Sequence, residues 1–152
     1  MKHLKSEVIA ACEAIISSKL KSVQETLANL QESLFSETKS TAGDKHETGR
    51  SMVQLEMEKT GAKVLELEKE LAVLDRIKKQ ENQQQKLVRL GSLLETSNGI
   101  YFIAVSLGLV KIENHQVFAI SSGAPIAKEF IGKTAGETVS FRNTSITIQT
   151  IF

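Results

Sequence analysis

Asp44 and Glu47 stand three residues apart in the stretch STAGDKHETGRS, Ser40 to Ser51. Nowhere else in the first 85 residues do small, polar and glycine residues crowd together in this way. Carboxylates at that spacing can share one face of a helix or a tight turn. There they can help to hold a hard cation such as Mg²⁺, which takes oxygen donors and keeps several of its waters. The alternative is that the pair only solubilises a turn. His46, between them, could add a ligand or move a proton, or could be a solvated turn residue. Lys45 and Arg50 flank the pair.

Other chemistry is scarce. The single Cys12 excludes an internal disulfide framework and fits a reducing cytoplasm. It lies in an apolar-periodic segment with no nearby histidine, so it reads as a buried small hydrophobe. His3 and His115 are far apart and have no zinc-site spacing. No glycine-rich phosphate loop and no Ser-His-Asp arrangement is present. The net charge is +1 over 152 residues, with 41% apolar and 24% charged residues. Those values fit an ordinary soluble chain and do not announce a nucleic-acid binder. No apolar run approaches the roughly 20 residues of a membrane helix, and the start, MKHLKSEVIAACEAII, is too charged for a signal peptide.

The elements flanking the stretch explain where it must sit. Between Ser6 and Ser36 there is no glycine or proline. Ile16, Leu20, Val23, Leu27, Leu30 and Leu34 step by four and three, the seam of a coiled coil. Val53, Met57, Thr60, Val64, Leu67, Leu71 and Leu74 repeat it, with Thr60 the one polar member. If the chain folds back, Leu34 meets Val53, Leu20 meets Leu67 and Ile16 meets Leu71. Each such pair of residue numbers adds to 87. A constant total is the condition for an antiparallel hairpin, and its midpoint falls between Gly43 and Asp44. The spacing therefore predicts a hairpin over 1–80 with its tip near 37–51. A helix from Lys5 to Ser36 would be ~48 Å long. Gly61 costs ~1 kcal/mol against alanine in mid-helix and, beside Thr60, is expected to mark a thin or bent point.

After Ile77 the period stops at the polar run KKQENQQQK. Residues 81–87 read as a linker, and 88–152 as a strand-rich unit. RLGSLLET and IYFIAVSL read as strands around an Asn-Gly hairpin signal. LVKI and VFAI read as a second hairpin, and ETVSF with SITIQTI as a third pair. SSGAPIAKEFIG between them reads as a short helix, capped by Ser122, entered at Pro125 and left at Gly132. That helix is expected to bury Ile126, Phe130 and Ile131 against a twisted antiparallel sheet. The fold class is thus α+β, and residues 86–152 carry a plausible core of their own.

The segment ISSGAPIAKEFIGKTAGETVSF, residues 120–141, resembles the C-terminal domain of the Gre transcript cleavage factors of bacteria. Ile120, Ser121, Pro125, Ile126, Ala127, Lys128, Phe130, Ile131, Gly132, Lys133, Gly136, Glu137 and Val139 match that family's pattern in register. Ala124 stands where the pattern has serine. At the tip, Gly43, Asp44 and Glu47 match the family's G-D-L-x-E-N-A-E-Y. Lys45, Thr48, Gly49, Arg50 and Ser51 depart from it.

The resemblance implies a coiled-coil hairpin followed by a small FKBP-like antiparallel sheet domain with one helix. It implies a cytoplasmic transcription elongation factor, a monomer with no membrane association, whose partner is RNA polymerase. The sheet domain would grip the rim of the secondary channel, with Ser122, Ala124 and Pro125 as candidate contacts beside Lys45 and Arg50. The tip would reach the catalytic centre and, indirectly, the 3′ end of the nascent RNA. Asp44 and Glu47 would share a Mg²⁺ with the polymerase, and only in the complex, and promote hydrolysis of backtracked RNA. The chain itself would be an accessory and not an enzyme. The departures at the tip leave open a Gre-like inhibitor without cleavage activity. A prolyl isomerase or chaperone is a further alternative, although 5% aromatic residues and no tryptophan make a proline pocket hard to build.

Overall fold

The structure is a computed structural model. It describes residues 2–39, 43–80 and 85–152, and the side chains of these except at 2, 37–39 and 43–48. Two long helices, α1 (Lys2–Lys39) and α2 (Gly43–Lys79), precede six strands and a short helix. Contacts divide the chain into two compact units, Ile15–Leu71 and Met1–Ala14 with Ala72–Phe152.

The Ile15–Leu71 unit is made of the paired helices. Ile16 and Leu67 are buried. The other seam positions, from Leu20 to Leu34 and from Val53 to Leu71, are half-buried, while the residues between them are mostly exposed. Two helices alone can only partly cover a seam, and that limits how far these residues leave water. The helices run antiparallel. Lys19 of α1 acts electrostatically on Glu70 of α2, and Glu13 pairs with Lys78 at 2.7 Å. The number falls on α2 as it rises on α1, as the matched seams require.

In the other unit the strands are β1 (Leu93–Thr96), β2 (Gly99–Ala104), β3 (Gly108–Ile112), β4 (His115–Ser121), β5 (Thr138–Phe141) and β6 (Thr144–Ile151). The helix α3 (Pro125–Phe130) lies between β4 and β5 in sequence. The sheet order is β3-β4-β2-β1-β6-β5. Four neighbouring pairs are antiparallel, but β2 and β4 run parallel. The sheet is therefore mixed and not wholly antiparallel. The β3–β4 hairpin is inserted whole beside β2, and this reverses the sense of the pair that joins it.

The turns follow their residues. Arg142 and Asn143, at φ 48° and 63°, join β5 to β6 in the left-handed conformation favoured in two-residue hairpins. In the first hairpin Thr96 pairs with Gly99, so Ser97 and Asn98 occupy the turn. The expected Asn-Gly signal is thus displaced by one residue, and Gly99 takes φ +111° as the first residue of β2.

Each face of the sheet is apolar. One carries Leu94, Tyr101, Ile103, Ile146 and Ile148, which form a single buried cluster with Ala127 and Phe130 of α3. The other carries Leu93, Phe102, Val110, Val117 and Ala119, all buried as well. The helix bases within the same unit contribute buried Leu4, Val8, Cys12, Leu74 and Ile77. They meet the sheet segment where Ile77 touches Gly91 and where Lys5 Nζ donates to the Phe152 carbonyl at 3.4 Å.

Candidate functional site

α1 continues to Lys39 and α2 begins at Gly43, while residues 40–42 lie outside the described residues. Asp44, Lys45, His46 and Glu47 fall within the first two turns of α2. The backbone is helical there in spite of Gly43 and Gly49, because the seam that starts at Val53 holds the helix that follows. Acidic residues near a helix N-terminus also favour the helix dipole. In a helix, Asp44 and Glu47 are ~4.5 Å apart along the axis and about 60° apart around it. The two residues are three apart on the continuous backbone of α2. The side chains of both lie outside the described residues. Arg50, one further step of three along α2, is exposed.

The donor chemistry at these positions suits Mg²⁺ or a similar hard ion, since both groups are carboxylates. It supplies two side chains and no more, too few to hold such an ion unaided. Among the described residues no group of three or more His, Cys, Asp and Glu side chains is placed to hold a metal.

The second candidate segment is the junction of β4 with α3. Ser122 and Pro125 are exposed and Ala124 is half-buried against the core. Ala124, and not Ser122, is the N-cap, at φ −64° and ψ 142°, and no side chain caps the helix. Pro125 opens the helix, where its missing N–H costs nothing. The first helical bond runs from Lys128 N–H to the Ala124 carbonyl at 3.1 Å. Phe130 is buried and Ile126 partly so, but Ile131 is 39% exposed. Ile131 lies beyond the helix as its C-cap residue, so it does not share the buried stripe. Gly132 leaves with φ +88° as expected.

One surface went unread in the sequence. Phe118 on β4 pairs with Leu109 on β3 and with Tyr101 on β2. The Tyr101 ring stacks on Phe118 at 5.4 Å and tilts against Phe130 at 5.2 Å. Leu109 and Phe118 are nevertheless 44% and 38% exposed. β4 leads from this apolar row straight into Ser122, Ala124 and Pro125. The alternation of Leu107 with Leu109 was the available signal, but it does not say which face α3 leaves open.

Three titratable groups away from the tip are structural. Burial pushes the Cys12 thiol up to about 11, with the Glu13 charge adding to the effect. Burial also lowers Lys5, helped by Arg89. Glu137 accepts from the Thr134 N–H at 2.6 Å and from its hydroxyl at 3.1 Å, and these bonds hold its carboxyl below the usual range. Among the described residues no helix is long and apolar enough to cross a membrane.

No protein-family model matches the chain, and no curated protein matches it. Among solved structures it is similar to the GreA factor homolog 1 (Gfh1) protein of Thermus thermophilus. The identity is 17%, the TM-score 0.37, and the match covers 92% of this chain and 94% of that one. A structure of the transcription factor Gfh1 matches at 19% identity and TM-score 0.38, over 93% of each chain. Thermus aquaticus Gfh1 matches at 15% and 0.33, over 93% of this chain and 94% of that one.

Proposed function

We propose that this chain is a Gre-like factor that binds RNA polymerase and acts, through its tip, at the polymerase's own catalytic centre. The observation that carries the proposal is the carboxylate pair at the turn of an antiparallel helical hairpin, in a chain whose β4–α3 segment has the Gre pattern. The Ser122–Pro125 segment and the apolar row beside it are the anchor, and they bind the rim of the secondary channel. Asp44 and Glu47 enter the channel and complete a Mg²⁺ site that neither molecule holds alone. Asp44 and Glu47 would hold that second Mg²⁺, which would supply an activated water and steady the charge that develops on phosphate. The two carboxylates position that site against the RNA. Hydrolysis of a phosphodiester bond of the backtracked RNA would then leave a 3′ hydroxyl at the centre and release the 3′ fragment with a 5′ phosphate. The chain has no free-standing hydrolytic activity in this reading.

A second reading has its own observation. Lys45, Thr48, Gly49, Arg50 and Ser51 differ from the cleavage-factor pattern, and two of these changes add positive charge to the tip. A tip of that kind could fill the channel and slow the polymerase without promoting hydrolysis. A pull-down with core polymerase, followed by RNA cleavage on a backtracked complex, tests both. Binding with accelerated cleavage supports the first reading. Binding with slowed elongation and no cleavage supports the second, and absence of binding overturns both.

A further inference from the structure

We propose that the helical pair carries a compliant joint at the level of Thr26, Thr60 and Gly61, about which the outer part of the arm bends while the seams on either side stay closed. The joint lies wholly within the Ile15–Leu71 unit, and it stands whether or not the tip acts on a polymerase.

Three separate features meet at this level. The first is in the seam. Thr60 is half-buried, and it is the one polar residue in a seam otherwise built from leucine, isoleucine, valine and methionine. The layer it forms with Leu27 buries less apolar surface than its neighbours do, and so holds the helices together less strongly. The second is in α2. Gly61 is the one glycine between Val53 and Leu74. It is half-buried in a continuous helix, and a Cβ on it would meet nothing within 4 Å. Packing therefore does not demand glycine here, and what remains is the freedom it gives the backbone. The third is in α1. The Thr26 hydroxyl donates to the Ser22 carbonyl at 3.1 Å. The helix ladder uses that same carbonyl for the Thr26 N–H, and back-bonding of this kind loosens and bends helices.

In the register of the matched seams, Thr26 stands opposite Gly61 as Leu27 stands opposite Thr60. Both pairs give the total that every other layer gives. A soft turn in one helix of a pair is ordinarily splinted by the other. Here each helix is soft where its neighbour is soft, and the layer between them carries a hydroxyl, so neither splints the other. Both helices run unbroken across the level, so the feature is a compliance and not a fixed kink. From Thr60 to Gly43 the helix continues for about 26 Å. A tip carried on such an arm can change direction without the helices separating or slipping in register.

The test uses the free full-length chain. Amide hydrogen exchange is followed by NMR in the wild type, Gly61→Ala, Thr60→Leu/Gly61→Ala, and Thr26→Val, which keeps the shape and removes the hydroxyl. In the wild type, amides around Thr26 and around Gly61 should exchange about tenfold faster than those one turn away on either side, so that protection passes through a minimum in each helix. Gly61→Ala should make the α2 minimum shallower and Thr26→Val the α1 minimum, and the double variant should remove both. Bending itself is read from spin labels at Ser18→Cys and Ser36→Cys in a Cys12→Ala background. Both label positions are exposed, and they lie about 27 Å apart along α1 on either side of the joint. Their distance distribution should be narrower in the double variant than with Thr60 and Gly61 in place. Protection that falls steadily from the helix bases to the tip, with no minimum, is ordinary end fraying and overturns the proposal. Distributions of equal width overturn it as well. If the double variant melts below the wild type, Gly61→Ala alone takes its place in both measurements, since its added methyl enters open space.

Discussion

Gly91, at φ +94°, stands so close to Ile77 that a Cβ on it would lie 3.1 Å from Ile77 Cγ2. The same atom would meet Gln80 Oε1 at 3.1 Å. The end of α2 and the turn that enters the sheet are thus fitted to each other through a missing side chain. Gly91→Ala should destabilise this unit by about 1–3 kcal/mol, from left-handed strain and crowding together. Gly108→Ala is the control, because Gly108 has φ +71° and nothing within 4 Å of a Cβ. It should cost only the conformational part. Urea unfolding of the two variants measures the difference.

The same packing bears on where the chain can be cut. Residues 88–152 hold all six strands, yet Leu93, Phe102, Val110, Val117 and Ala119 form a face that α3 does not cover. Met1–Ala14 and the end of α2 belong to the same compact unit as that face. The isolated fragment 86–152 should therefore self-associate or melt without a sharp transition. A chain that joins residues 1–14 to 72–152 by a short turn should melt cooperatively. A sharp, concentration-independent transition in the short fragment would show that the helix bases are dispensable.

The helical seam was fully legible in advance. Leucine and valine at steps of three and four leave few other solutions, and burial follows those positions from Ile16 to Leu34 and from Val53 to Leu74. The strands were legible too, since each is a short apolar run between turn residues. The parallel pairing of β2 with β4 was not. Local pattern marks strands and hairpins but says nothing about which hairpin inserts where. Ser122 has the chemistry of a cap, yet Ala124 occupies that place because Pro125 fixes the first residue of the helix. At the tip, α2 is helical from Gly43 although glycine and polar residues are dense there. The spacing of Asp44 and Glu47 could be read at once, but spacing alone does not say what the pair does.

Gly61 offers a second test of the helical pair. It is helical, half-buried, and a Cβ there would meet nothing within 4 Å. Gly61→Ala should raise stability by about 1 kcal/mol, as expected from helix propensity alone. Thermal unfolding followed at 222 nm reports the change. A loss of stability would mean that the helix needs a bend at this point.

Cys12 gives a pH dependence with a definite sign. Its thiol is raised from 9.0 to about 11 in the folded chain, first by burial and then by Glu13. The unfolded chain therefore ionises first as pH rises. The stability linked to the protonated thiol is complete below pH 9 and is lost between about 9 and 11. Cys12→Ala should flatten the stability curve over that range, at some cost in core packing at lower pH. Native Cys12 should also resist a thiol reagent at neutral pH and react on unfolding. Fast labelling of the folded protein would contradict the burial.

The tip variants decide what the carboxylates are for. Two carboxylates sharing a helix face repel each other in the free chain, by roughly 1 kcal/mol at ~4 Å in water and more in a channel of lower dielectric. On the metal-sharing reading, a shared Mg²⁺ would turn that repulsion into attraction. Asp44→Asn and Glu47→Gln keep size and hydrogen bonding but remove the charge. Neither should change thermal stability or polymerase affinity appreciably, because neither position belongs to the buried seam. Cleavage of backtracked RNA should fall about tenfold or more with either, equivalent to ~1.4 kcal/mol of lost transition-state stabilisation. The measurement is single-turnover cleavage on a stalled complex across a Mg²⁺ series. Should the wild-type chain slow elongation in an Asp44-dependent way and never accelerate cleavage at any Mg²⁺ concentration, the inhibitor reading would replace the cleavage reading, with the same two residues at its centre.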